Sequence, residues 1–299
     1  MKCIVTADWH IRGTTPRCRN DKDWMATQRN ALKSLYNYAI EYDCDICVVG
    51  DLFHTVADTT FECIQLIQEL ALNLKNKNKR LYILAGNHDL PYHSEDNIDK
   101  SAIGIVLMSD NVYHISDIEN VSAPNFGGTV DKDAEIVFTH ILTFPDRDSM
   151  PPNVNAITAY DLLDDYPKAK YIFTGDYHHA FHVEENNRHV INAGCLIRQV
   201  ADMKDYKPSC YYVDTQSNVI KQLYIADDGD MVDDSYLVKE EEREKRIEEF
   251  VDKLKATKNI SLDFADNVAK ALTTNKLGKE FEDVVNALIQ QKYFEYIEE

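Results

Sequence analysis

Positive charge is scarce in this 299-residue sequence: 32 Lys and Arg stand against 51 Asp and Glu, a formal net charge of −19. Such a surface repels nucleic acid on average. That excludes a passive basic-patch binder and leaves any phosphate contact to a small cationic cluster or to bound metal ions. Long apolar runs are missing too, and none approaches the roughly 20 residues that a membrane-spanning helix requires. The N-terminal stretch meets Asp8 before a signal-peptide core could form. No cysteine framework exists: seven thiols, an odd number, are spread over positions 3, 18, 44, 47, 63, 195 and 210. This usage fits reduced thiols in a cytoplasm. Cys44 and Cys47 form a C-x-x-C without a second pair, and Cys47 opens the apolar run Cys47-Val48-Val49. Buried structural thiols are therefore expected rather than zinc or redox chemistry. Glycine numbers only ten, and no Pro/Gly/Ser-rich linker or internal repeat interrupts the chain.

What is present is an alternation of short β-rich runs and helical stripes. Cys3–Thr6, Ile46–Val49 and Leu81–Leu84 read as strands. Between the last two, Cys63, Leu66, Ile67, Leu70, Ala71 and Leu74 follow the i, i+3, i+4, i+7 spacing of a helix. Trp24 to Ile40 reads as an earlier helix of the same kind. Strand–helix–strand–helix–strand implies parallel βαβ units. Further strands are expected at Ile136–Phe138, Tyr171–Phe173, His189–Ile191, Tyr211–Val213 and Val219–Ile225. Their closer spacing predicts a mixed or second sheet rather than one doubly wound sheet. The character changes at Ala226, with an acidic linker, a charge run over 239–246 and two amphipathic helical patterns. Residues 1–225 thus read as one α/β domain and 226–299 as a linker with a helical appendage.

Past the C-terminal end of strand after strand sits a metal-ligand type of residue. The first leads into Asp8-Trp9-His10, the second into Gly50-Asp51, the third into Gly86-Asn87-His88-Asp89. Val137-Phe138-Thr139 leads into His140, and Ile172-Phe173-Thr174 into Gly175-Asp176-Tyr177-His178. In parallel sheets the carboxyl ends of the strands line the binding crevice, so five separated stretches are expected to converge. Asp8 and His10 are two apart on what reads as extended chain, which points both side chains the same way, and Asp176 and His178 repeat the spacing. Carboxylates, imidazoles and an amide without a thiolate suit manganese, magnesium or iron better than a structural zinc. A bridging carboxylate such as Asp51 holds two cations roughly 3.5–4 Å apart, lowering the pKa of a water and clamping both oxygens of an in-line displacement at phosphorus. Two divalent cations also attract a phosphate to an otherwise anionic surface.

These motifs, in this order, resemble the calcineurin-like metallophosphoesterases. Within them the sequence is similar to SbcD-type DNA repair exonucleases, especially phage members. Gly50-Asp51-Leu52-Phe53 resembles their G-D-[LI]-F stretch, and Asn192-Ala193-Gly194 their N-P-G turn. The resemblance covers about residues 1–225. It implies a four-layer α/β/β/α sandwich of mixed sheets, with Asp8, His10 and His178 on a first metal, Asp51 bridging, and Asn87 and His140 on a second. The cations implied are manganese, or alternatively magnesium. His88 would protonate the leaving 3′-oxygen or steady the scissile phosphate, oriented by Asp89. One departure stands out: the family's last motif is G-H-x-H, and here its first histidine is Asp176, expected still to reach the second metal as a third ligand carboxylate.

Other residues near the motifs carry weaker expectations. Arg12 and Arg198 are candidates for phosphate contacts, His54 for a supporting position, and His179 for touching substrate. Trp9 could stack on bases. His182 and His189 crowd the last motif without its spacing and read as bystanders. The resemblance further implies a two-metal DNA exonuclease, with endonuclease activity as an addition, that serves an SbcC-like ATPase through the C-terminal helices. It also implies a homodimer and a cytoplasmic location, the host's if the chain is phage-encoded. A nucleotide phosphodiesterase, a phosphoprotein phosphatase and a non-catalytic scaffold are the alternatives.

Overall fold

A computed structural model describes residues 1–226 except 153 and 155, and beyond them 231–233, 235, 243, 245–247, 249 and 250. The chain divides into two units, Met1–Asp234 and Ser235–Glu299. The helices expected to dock a partner lie almost wholly outside the described residues. The first unit runs past the expected boundary at 225, because residues 231–233 are stitched to it. Arg19 and Val232 form an antiparallel bridge, the Met231 carbonyl accepts from the Asn20 N–H at 2.9 Å, and Val232 is buried.

Among the described residues thirteen strands and four α-helices follow in order: β1 (Lys2–Thr6), α1 (Trp24–Glu41), β2 (Asp45–Val49), α2 (Phe61–Lys75), β3 (Leu81–Leu84), α3 (Ala102–Leu107), β4 (Val112–His114), β5 (Val121–Ser122), β6 (Ile136–His140), β7 (Thr143–Phe144), β8 (Ile157–Thr158), α4 (Ala159–Asp165), β9 (Tyr171–Gly175), β10 (Phe181–Glu185), β11 (Arg188–Asn192), β12 (Ser209–Asp214) and β13 (Val219–Tyr224). Six strands make one sheet in the order β13-β12-β1-β2-β3-β4, and five make a second in the order β10-β11-β9-β6-β5. Within the first sheet β1, β2, β3 and β4 run parallel, β12 pairs antiparallel with β1, and β13 pairs antiparallel with β12.

Alternation along the strands decides what lies on each side. Ile4, Ile46, Val48, Leu81 and Ile83 face α1 and α2, meeting Leu32, Leu35, Leu66, Ile67 and Leu74 in an outer core. Val5, Cys47, Val49 and Leu84 face the other way and pack against Phe138, Phe173 and Ile191 of the second sheet. On that sheet's far side, Val137, Ile172 and Val190 meet Ala159, Leu162 and Leu163 of α4. The layers are therefore α/β/β/α, as expected. The six apolar residues of the α2 stripe are the six that α2 buries, and Thr60 caps it by accepting from the Cys63 N–H. All seven cysteines are free and buried. Among the described residues no helix is long and apolar enough to cross a membrane.

Candidate metal centre

The two sheets meet so that β1, β2, β3, β6 and β9 end at one place. Parallel pairing continues past the strand ends: the N–H groups of Asp8, His10 and Ile11 donate to the carbonyls of Gly50, Asp51 and Leu52 at 3.0–3.1 Å. This register sets Asp8 and His10 beside Asp51. From the second sheet, β6 pairs with β9 so that His140 lies opposite Gly175. The Asp176 N–H donates to both oxygens of Asp8, at 3.0 and 3.2 Å.

The loops do not achieve this in extended form. Asp8, His10, Asp51 and Asp176 have φ of 49°, 44°, 51° and 77°, in the left-handed region where non-glycine residues are strained. The expected extended Asp8-x-His10 and Asp176-x-His178 are thus replaced by sharp turns. The side chains converge because the backbone bends at these residues, and Asp tolerates this conformation better than most residues. Glycine opens the space. Gly50 has φ of 83°, and a Cβ there would overlap the His140 imidazole. At Gly86 a Cβ would overlap the Asp51 carboxylate. Gly50→Ala is expected to cost about 2–5 kcal/mol from left-handed strain and overpacking together. Urea unfolding of the variant measures the cost, and displacement of His140 should weaken metal binding in parallel.

Ligand atoms gather in three overlapping groups, Asp8–His10–His178, Asp8–Asp51–His140 and His10–His54–His88, each with its atoms within 4.8 Å of one another. Asp8, His10, Asp51 and His140 are buried. Asp51 Oδ2 lies 3.2 Å from His140 Nε2 and 3.7 Å from His10 Nε2, between the first two groups. Asn87 Oδ1 stands 3.0 Å from His140 Nε2. His10 Nε2 and His178 Nε2 face each other at 3.1 Å.

The donor set fits a cation. His140 Nδ1 donates to the Val49 carbonyl at 2.9 Å, so Nε2 is the ring atom that meets Asn87 Oδ1 and Asp51 Oδ2, and in the neutral ring its lone pair is free for a cation. The buried Asp51 Oδ2 and His10 Nδ1 have no hydrogen-bond partner. Converging lone pairs without donors are costly to bury unless a positive charge joins them. The proton affinities show the same tension. Burial, with the Asp51 charge adding to it, pushes the Asp8 carboxyl up to about 8. Burial opposes the Asp51 charge as well, yet the imidazoles of His140, His10 and His88 hold its carboxyl below the usual range. His140 is lifted to about 10 against its burial by Asp51 and Asp8. Burial lowers His10 and His178, favouring the neutral, ligating imidazole.

Several expected residues are placed differently. Asp89 does not orient His88. Its buried carboxylate accepts from the N–H groups of Leu52, Phe53 and Gly86 at 3.1, 2.9 and 3.0 Å, tying the Asp51 loop to the Asn87 loop. The orienting partner of His88 is the His54 carbonyl, met by Nδ1, while the His88 N–H donates to Asp51 Oδ1 at 3.0 Å. Sequence reasoning missed this because a main-chain acceptor leaves no trace in residue type. Asp176 contributes its main chain to the Asp8 contact, and its carboxylate belongs to none of the clusters among the described residues. The Arg12 Nε donates to Asp58 Oδ2 at 2.7 Å, and the same carboxylate takes the Thr14 hydroxyl. Arg198 is buried and donates to the Lys204 carbonyl at 2.7 Å. His179 packs against Tyr177 and Tyr206. Trp9 is fully buried, its indole N–H on Thr6 Oγ1, so it stacks on no base. His54 comes closer to the cluster than the sequence suggested, stacking on His88. In the Asn192-Ala193-Gly194 turn, Asn192 donates to the carbonyls of Tyr177 and His179, which holds the loop carrying His178.

The family model for calcineurin-like phosphoesterases matches residues 1–187. No curated protein matches the chain significantly. Solved structures to which the chain is similar include a novel archaeal phosphodiesterase, 13% identical, covering 75% of this chain and 100% of its own, with a TM-score of 0.39. A dimetal phosphatase from Danio rerio is 11% identical over 75% of this chain and 98% of its own, TM-score 0.45. Pseudomonas putida nuclease MPE is 14% identical over 74% and 87%, TM-score 0.35. The chain belongs to the calcineurin-like phosphoesterase family, whose members are metal-dependent phosphoesterase hydrolases.

Proposed function

We propose that this chain is a two-metal phosphodiesterase that cuts DNA, the nuclease subunit of an SbcCD-like repair or recombination complex. The carrying observation is the buried, unpartnered Asp51 Oδ2 set between His10 and His140. In this reading Asp8, His10 and His178 would hold one cation and Asn87 and His140 a second, with Asp51 shared between them, while Asp176 would stay behind Asp8, which its main-chain N–H meets. Divalent ions bound there, manganese or magnesium, supply positive charge against a phosphodiester and acidify water. His88 stands beside His10, ring centroids 4.9 Å apart. With Nδ1 engaged by the His54 carbonyl, Nε2 is the atom left to meet the leaving 3′-oxygen.

The DNA assignment is supported by Gly50-Asp51-Leu52-Phe53 and Asn192-Ala193-Gly194, whose side chains and turns build the site. A net charge of −19 asks that the cations and a partner provide the grip on DNA. That partner is an SbcC-like ATPase bound by residues 226–299, with dimerisation and a cytoplasmic location part of the same proposal. Manganese-dependent release of nucleotides from a labelled linear duplex is the expected result, falling by about 10²–10⁴-fold in His88→Ala. Turnover of a small phosphodiester with none of DNA would favour a nucleotide phosphodiesterase or phosphoprotein phosphatase. Turnover of neither would leave a non-catalytic scaffold.

A further inference from the structure

The β10–β11 hairpin carries three ligand-type side chains that the cluster at the strand ends does not use. His182 and Glu184 alternate on β10, so they share a face. In the antiparallel register Glu184 stands opposite His189 and His182 opposite Ile191. Ile191 packs between the two sheets, so all three polar residues lie on the inner face at the edge of the sandwich. Their ligand atoms lie within 4.8 Å of one another. His182 Nε2 is 3.1 Å from His189 Nδ1, and that nitrogen is 3.9 Å from Glu184 Oε2. Two nitrogens on one tetrahedral zinc, each about 2.0–2.1 Å from it, sit about 3.3–3.4 Å apart. Small side-chain rotations bring this triad to that spacing.

The surroundings hold the ring of His189 in a ligand's pose. Its side chain is buried and stacks on Tyr171 with centroids 5.3 Å apart. The Tyr171 hydroxyl donates to Asn218 Oδ1, and Asn218 Nδ2 donates to Asn187 Oδ1 at 3.1 Å. His189 Nε2 is buried without a hydrogen-bond partner, so a neutral ring protonated there keeps the Nδ1 lone pair toward His182 and Glu184. Burial lowers both His182 and His189, favouring neutral, ligating rings. His182 is flanked by Tyr211, and Glu184 reaches solvent, which leaves one coordination position open to water.

We propose that His182, Glu184 and His189 form a second metal site for one borderline transition ion of the Zn²⁺ class, separate from the phosphoesterase cluster. Two imidazoles to one carboxylate are a more nitrogen-rich donor set than the strand-end cluster, where Asp8, Asp51 and Asn87 match the imidazoles in number, and this favours an ion of the Zn²⁺ class. Its place explains its use. β10 is the edge strand of its sheet, and an ion joining both arms of the hairpin clamps that edge, coupling metal binding to local stability.

The test uses the full chain carrying Asp51→Asn, which weakens the first cluster, with and without His182→Ala or Glu184→Gln on the exposed strand. Zn²⁺ is titrated against a competing indicator, and Co²⁺ absorption reports the geometry. The expected difference is one Zn²⁺ per chain, with affinity lowered by His182→Ala by more than the about 10–100-fold of an outer-group change. A tetrahedral Co²⁺ band should vanish with it, while circular dichroism stays unchanged. In the otherwise native chain, His182→Ala should leave manganese-dependent phosphodiester hydrolysis intact. Equal Zn²⁺ stoichiometry and affinity with and without His182→Ala would overturn the proposal and leave a hydrogen-bonded histidine pair.

Discussion

Replacing Asp51 with asparagine is expected to abolish manganese-dependent phosphodiester hydrolysis while the protein stays folded. The loss should reach at least about a thousandfold in kcat/KM, or about 4 kcal/mol of transition-state stabilisation. The substituted amide would retain the volume of the side chain and an oxygen for the His88 N–H, now bonded to Asp51 Oδ1 at 3.0 Å. What disappears is the charge between His10 and His140, and with it the bridge that lets two cations sit close together. The discriminating measurement is the rise in melting temperature on adding manganese. Ligand binding to the native state stabilises by mass action, so the native chain should show the rise and the variant should not. An undiminished rate with two ions still bound would refute the bridging role.

Asp89→Asn should behave in the opposite way, losing stability first and metal affinity as a consequence. The Asp89 carboxylate is buried and accepts from three main-chain donors on two loops. An amide has one oxygen where the carboxylate has two, so at least one N–H would face an NH₂ group and go unsatisfied. Each stranded buried donor costs about 1–3 kcal/mol, and the variant should lose about 2–4 kcal/mol in urea unfolding. Because the same loops carry Asp51 and Asn87, manganese affinity should fall together with stability. Were Asp89 instead a partner of the His88 ring, Asp89→Asn would change the pH profile of hydrolysis and leave the unfolding midpoint where it was. Comparing Asp51→Asn with Asp89→Asn thus separates a residue that meets the ions from one that positions the loops holding them.

How much of this was legible beforehand varies with the range of the interaction. The α2 stripe and the apolar cores of β1, β2, β3, β6, β9, β11, β12 and β13 follow from hydrophobic periodicity, which acts within one element. The motif order at the strand ends was readable for the same reason, because each ligand-type residue directly follows its own strand. β4, β5, β7, β8 and the short helices α3 and α4 escaped because two to seven residues hold too little pattern. β10 escaped because its alternation of His182 and Glu184 with Phe181 and Val183 is that of a polar edge.

The sequence by itself determined the order of the longer elements, the face each of them buries and the stretches that supply carboxylates and imidazoles. Only the tertiary structure decided which atoms meet. Main-chain pairing beyond the strand ends sets Asp8 against Asp51, and left-handed turns aim the side chains. The same long-range register gives Asp89 to two loops, the His54 carbonyl to His88, and His182, Glu184 and His189 to one another. Periodicity and propensity are properties of neighbours along the chain. The direction of a lone pair depends on the backbone of a distant strand, and only closing the two sheets fixes it.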